Sequence, residues 1–285
     1  MRDVSSLIEE MISTQDRVNL RAWSEDDTVP EYANRVLRPA EVVVLVRYAR
    51  ELSGRVLEGG CGAGRVLGYL AELGGEVHGV DISPAMVEYC RRTYPLASVE
   101  LGDLGALRDS VSGPYDVVIV PDNTLDIFDH SKRLQVLSDI RSLLSPAGLL
   151  IFSSHNLDHA DGRLEATRSR LGASFGRSGL SRLVAMSPRQ AASVVRRAPR
   201  MIRNRRALRP LQTRGEDHAI LNDSERDWGA LHYYVGRDAQ ERQLRELGFE
   251  LVECLDADGR PVPAGAIGYG PWLHYVARAP ATASS

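Results

Sequence analysis

The 285-residue sequence predicts a doubly wound α/β fold. Its sheet has seven strands, mostly parallel with an antiparallel last strand, and a long insertion follows the fifth. Three observations predict this. Short apolar strands alternate with amphipathic helices from residue 55 to residue 156. The alternation then stops over 157–235 and resumes near the C-terminus. The final two strands have no crossover helix between them, so the last one enters antiparallel.

The elements follow in order. Val56 and Leu57 form a first strand that runs into Leu57 to Arg65, LEGGCGAGR, and Val66, Leu67 and Leu70 give a helical face ending at Gly74 and Gly75. Glu76 to Asp81 is the second strand. Ser83 caps the next helix, with Pro84 at its first position and Met86, Val87 and Cys90 turned inward. Ser98 to Leu101 is the third strand, and Asp116 to Val120 is a fourth, apolar enough to be covered on both faces. Leu134, Leu137, Ile140 and Leu144 make a helical stripe that Ser145 to Gly148 ends, and Leu149 to Ser153 is the fifth strand. A helix over Arg237 to Leu247 closes on Gly248. Strands over Phe249 to Cys254 and Trp272 to Ala277 complete the sheet. The chain divides into an N-terminal helical cap (1–40), a core (41–156 and 236–285) and an inserted lid (157–235).

Composition excludes several classes. No apolar run approaches membrane-spanning length, and the chain opens on a polar helix rather than a secretory leader. Three cysteines, Cys61, Cys90 and Cys254, have no metal spacing and leave an odd thiol, which points to a reducing, cytoplasmic compartment. The formal charge is −3, yet the fourteen arginines of 161–215 face only two acidic residues, Asp161 and Glu165.

The glycine-rich turn is the first chemical signal. Gly60, Gly62 and Gly64 alternate after a buried strand, so the backbone can turn sharply and approach a ligand. Glu58 lies at the strand end, Asp81 ends the second strand and Asp103 follows the third. Carboxylates at three successive strand ends suit a ligand rich in hydrogen-bond donors, with Asp81 positioned for a pair of ribose hydroxyls and Asp103 for an exocyclic amine. The spacing departs from the G-x-G-x-x-G of nicotinamide-binding folds.

With LEGGCGAGR, EVHGVDISPAM and VELGDL in place, the chain resembles the class I S-adenosylmethionine-dependent methyltransferases over about residues 45–156 and 236–279. The resemblance implies a Rossmann-like methyltransferase fold with S-adenosylmethionine as donor and S-adenosylhomocysteine as product. It implies that Gly59, Gly60, Gly62 and Gly64 carry the methionine part and that Glu58 faces its ammonium. Asp81 would then hold the ribose, Ile82 and Met86 the adenine face, and Gly102, Asp103 and Leu104 the adenine edge. Tyr32 and Arg35, in YANRV, would approach the methionine carboxylate. Pro121, Asp122 and Asn123, after the fourth strand, would lie beside the sulfonium and the acceptor. The Asn/Asp-Pro-Pro-Tyr/Phe sequence of amino methyltransferases acting on adenine is absent there, so a nucleic-acid substrate is not expected.

Methyl transfer needs alignment and water exclusion, and a hydroxyl acceptor also needs a base. His155, at the end of the fifth strand, is the candidate base; a histidine that holds the following loop is the other reading. Asn123, Asn156, His232, Tyr233 and Tyr234 are the candidate acceptor wall. Asp122, His155 and Asn156 lack a second clear carboxylate, so no metal is expected. The arginine-rich lid suits an anionic or carrier-bound acceptor, or is a solvated helix face. The sequence therefore predicts a small-molecule O- or N-methyltransferase of specialised metabolism, and is compatible with a homodimer. The alternatives are an RNA-modifying enzyme and a cofactor-binding protein that transfers no methyl group.

Overall fold

In the computed structural model, residues 15, 18–19, 29–161 and 188–281 are described. Most of the N-terminal cap, the arginines at 163, 168, 170, 177 and 182, and Ser187 lie outside them. Among the described residues, ten strands form one sheet. Five parallel strands, β1 (Arg55–Gly59), β2 (Glu76–Asp81), β3 (Ser98–Leu101), β4 (Tyr115–Val120) and β5 (Leu144–Asn156), run in the order β3-β2-β1-β4-β5. β9 (Glu250–Leu255) and β10 (Trp272–Arg278) follow, with β10 antiparallel to both β5 and β9. These seven are the predicted array.

The insertion adds three more. β6 (Thr213–Arg214), β7 (His218–Asn222) and β8 (Leu231–Val235) form an antiparallel run, and β8 pairs parallel with the end of β5. β4 pairs with β5 only as far as Phe152, so β8 takes the same edge one step further on, where His155 lies opposite Tyr234. The strands of the insertion thus continue the core sheet, and the last of them ends at Val235.

One further difference has a local cause. The expected helix stop at 145–148 lies inside β5, which begins at Leu144 and shifts register beside Tyr115, with Ala147 at φ 60°. In the insertion a long helix spans Pro188–Leu208 with Pro199 inside it, and its exposed arginines include Arg196, Arg203 and Arg206.

Alternation along the strands builds two cores. Leu57, Val118, Leu150 and Tyr275 pack on one face, and Val56, Val117, Leu149 and Val276 on the other. The helix over His130–Leu143 buries Val136, Leu137 and Ile140 against the first face, together with a charged neighbour, Arg133. Strand order reverses between β1 and β4. In open α/β sheets the crevice at the carboxyl ends beside such a reversal receives ligands.

Candidate functional site

A cavity opens at that crevice. Its floor is the turn after β1, where Gly60 and Gly62 adopt φ 70° and 53°. Glu58 lies at its base, almost fully buried, and its Oε2 has no hydrogen-bond partner among the described residues. Burial pushes this carboxyl well above the usual range, against the pull of Arg65. Such a group suits a cationic ligand. Asp81 braces the rim: its carboxylate accepts the Gly62 N–H at 2.8 Å and the Ser83 N–H at 2.9 Å. Burial raises its pKa, and the backbone donors of Ser83 and Gly62 act the other way.

Ile82, Met86, Gly102, Asp103 and Leu104 line the adjoining wall. Asp103 also caps its own turn by accepting the Gly105 N–H at 2.7 Å. Gly59 and Gly64 do not reach the cavity surface. Gly59 packs under Leu104, and Gly64, at φ 79°, makes room for Tyr94. Tyr32 lines the cavity and Arg35 stacks on it at 3.8 Å.

Pro121, Asp122 and Asn123 form the next wall. Asp122 and Asn123 are successive non-glycine residues in the left-handed region, at φ 56° and 58°. Arg35 and Arg38 hold Asp122 at 2.7 and 2.6 Å, and Ser153 Oγ accepts the Asn123 N–H at 2.9 Å. Burial would raise the Asp122 carboxyl, but Arg38, Arg65 and Arg35 outweigh it and hold the pKa below the usual value.

His155 and His232 close the far end. Asp126, fully buried on the turn after β4, accepts both the backbone N–H of His155 at 2.7 Å and its ring Nδ1 at 2.8 Å. Its other oxygen receives Arg133 at 2.9 Å and Ser154 Oγ at 2.7 Å. With Nδ1 as the donor, Nε2 carries the lone pair; it lies 3.5 Å from Asn123 Nδ2 and 3.8 Å from Asp223 Oδ2. Asp223 also holds His232 Nδ1 at 2.7 Å and the Tyr234 hydroxyl at 2.9 Å.

Two expected acceptor residues stand elsewhere. Asn156 donates to the carbonyls of Gly268 and Gly270 and accepts the Asp158 N–H, so it ties loops together. Tyr233 faces the opposite side of β8 from its neighbours, in a core with Val235 and Leu231. Burial pushes its phenol up to about 12, and its oxygen meets His130 and Gln243. Tyr234 lies one layer behind the cavity, its ring 4.7 Å from that of His155. Asp223, in the Asn222-Asp223 pair beside the acceptor strand, is legible in the sequence, whereas Asp126 has no local signal of its own. The available sign was Arg133, a charge in phase with the helical stripe of Val136, Leu137 and Ile140, which requires a buried acid.

Residues 56–148 match the model of a methyltransferase domain. These residues therefore carry a methyltransferase domain. Among curated relatives, a magnesium-protoporphyrin O-methyltransferase of Rhodobacter capsulatus is 30% identical over 123 residues, 39% of this chain and 54% of that protein. The chain thus spans about half the length of that relative. Among solved structures, the CcbJ methyltransferase of Streptomyces caelestis superposes with a TM-score of 0.53 at 20% identity, over 89% of this chain and 95% of that one. A 1,6-didemethyltoxoflavin-N1-methyltransferase of Burkholderia thailandensis gives 0.55 at 13% identity, over 98% and 92%. The methyltransferase domain thus sits on the Rossmann-like sheet that the glycine turn predicts, and no described helix is long and apolar enough to cross a membrane.

Proposed function

We propose that the protein transfers the methyl group of S-adenosylmethionine to an oxygen or nitrogen of a small molecule, in biosynthesis. The observation that carries this is a single cavity reaching from the orphaned Glu58 carboxylate and the Gly60–Gly62 turn to His155 and His232. Glu58 fits the donor's ammonium, Asp81 its ribose hydroxyls and Ile82 and Met86 its adenine. The donor supplies an electrophilic methyl carbon. The chain's own residues hold it in line with an acceptor at the histidine end and keep water out.

His155 stands where the acceptor's heteroatom gives up its proton, which is the catalytic role expected for it. Asn123, on the wall between the two ends, is the residue placed to touch both ligands. An anionic or carrier-bound acceptor is part of the proposal, supported by the exposed Arg203 and Arg206 on the helix beside the insertion strands. A cytoplasmic setting is supported by three buried free thiols. Calorimetry with S-adenosylhomocysteine tests the donor site: one molecule should bind per chain. Labelled S-adenosylmethionine offered with hydroxyl and amine compounds then tests transfer. Failure to bind S-adenosylhomocysteine would overturn the reading.

A further inference from the structure

We propose that His155, Asp223 and His232 bind one divalent transition-metal cation at the acceptor end, and that an acceptor oxygen completes its coordination. One potential ligand atom from each of the three residues lies within 4.8 Å of the other two. The strand register produces the cluster. His155 is paired with Tyr234, so His232, two residues earlier on β8, shares the face of His155, and Tyr233 does not. Asp223 directly follows the end of β7, beside His232, whose cross-strand partner is Leu221. The two imidazole rings lie 4.9 Å apart, centroid to centroid, at the end of the cavity.

Two imidazoles and one carboxylate with further positions open form a donor set for Fe2+, Co2+ or Zn2+. Ligands at about 2.1 Å from a shared ion lie roughly 3.4 Å apart; the cation would replace the proton shared by His232 Nδ1 and Asp223, and the near-parallel imidazoles would turn toward it. The surroundings resemble a built metal site. His155 gives its other ring nitrogen to the buried Asp126, the contact that fixes a ligating histidine and raises its basicity. Tyr234 donates to Asp223. Asn123 Oδ1, buried and without a hydrogen-bond partner among the described residues, is a neutral oxygen donor in the same wall.

The inference rests on the methyltransferase reading only for the transfer step; cation binding stands apart from it. An acceptor hydroxyl would ligate the cation as it enters, its O–H bond breaking and the proton leaving to solvent before the cavity excludes water. The oxygen lone pair forms the new C–O bond, the C–S bond breaks and its electron pair returns to sulfur. With the cation bound, His155 acts on the acceptor's proton through the metal it ligates; without the cation it acts as the free base. The substrate class is an oxygen acceptor, best one with a second oxygen able to chelate.

The test uses the full chain stripped with EDTA and titrated with Zn2+ and Co2+ in a calorimeter. One cation per chain is expected, with affinity at least ~100-fold lower in His232→Ala and Asp223→Asn, and ~10–100-fold lower in Asp126→Asn. His218→Gln, an imidazole outside the cluster, should bind as wild type. Co2+ bound to the wild type gives a second readout that needs no variant: visible bands of nitrogen and oxygen coordination. A thiolate charge-transfer band, no stoichiometric binding, or unchanged affinity in His232→Ala and Asp223→Asn would each overturn the proposal. So would a stripped protein that binds S-adenosylhomocysteine and transfers methyl at full rate. Loss of S-adenosylhomocysteine binding by the wild type would instead overturn the methyltransferase reading, leaving the cation measurement intact.

Discussion

Asp126 holds His155 twice with one oxygen, at the backbone N–H (2.7 Å) and at ring Nδ1 (2.8 Å). Both residues are buried, so the imidazole has one tautomer and one orientation. Asp126→Asn should cut turnover at least tenfold, because an amide in this place can present a donor to Nδ1. It also leaves Arg133 without its anionic partner, and breaking a buried pair costs about 3–5 kcal/mol. The melting temperature should fall by about 10 °C. Asp126 is not on the cavity wall, so S-adenosylhomocysteine affinity at low temperature should change by less than about threefold. Calorimetry and initial rates measure all three; wild-type turnover would show that the contact does not govern the reaction.

The half of the site built on β1, β2 and β3 was legible in the sequence because its chemistry is local. A strand end, a glycine turn and an acid sit within a few residues of one another, as in Glu58 to Gly64 and in Leu101 to Leu104. The acceptor half was less legible. His155 meets Asp126, Asp223 and His232 only because β8 takes over the edge that β4 vacates beyond Phe152. That pairing spans nearly eighty residues of chain and leaves no local pattern. Asn156 and Tyr233 have the composition of acceptor residues, but loop ties and strand alternation send them elsewhere. In the N-terminal cap the sequence points only to Tyr32 and Arg35, on the cofactor side. Its described part holds the acceptor end as well, with Asn19 bonded to Ile127 and Leu231.

Glu58 links pH to ligand binding. Burial raises its pKa in the folded, ligand-free protein. A carboxyl raised on folding adds stability below its unfolded pKa, about 4.3, and that contribution is lost as pH rises through the folded value. Glu58→Gln should therefore melt higher than wild type at neutral pH, and the difference should vanish in acid. The same change removes the anion facing the ligand's ammonium, so S-adenosylhomocysteine affinity should drop roughly 30-fold or more. Melting curves across pH and a binding isotherm check both signs. An unchanged isotherm would remove Glu58 from the donor site.

Asp81 serves the turn and the ligand together, through its bonds to Gly62 and Ser83. Asp81→Ala should weaken S-adenosylhomocysteine binding by about 100-fold or more, since two charge-assisted hydrogen bonds to the ribose and the turn brace are lost at once. Asp81→Asn keeps an acceptor for the backbone and should bind with intermediate affinity. Circular dichroism should show both variants folded. Wild-type affinity in Asp81→Ala would refute the ribose assignment.

Gly62 and Gly64 separate binding from stability. Both have positive φ, 53° and 79°, where an alanine is strained by about 1–2 kcal/mol. A Cβ on Gly62 would meet nothing nearer than Tyr32 Cδ1, at 3.7 Å, and would project into the cavity. Gly62→Ala should lower the melting temperature by only about 2–6 °C yet cost at least tenfold in S-adenosylhomocysteine affinity, because the methyl occupies ligand space. A Cβ on Gly64 would instead collide with the Tyr94 ring and come within 3.0 Å of Cys90 Sγ. Those side chains pack the helix over Pro84–Thr93 against the turn, so Gly64→Ala should lose more stability, and bind almost normally whenever it is folded. Melting temperature and affinity measured at 10 °C for both variants should move in opposite ranks. Equal affinity in Gly62→Ala and wild type would mean that the ligand does not lie on this turn.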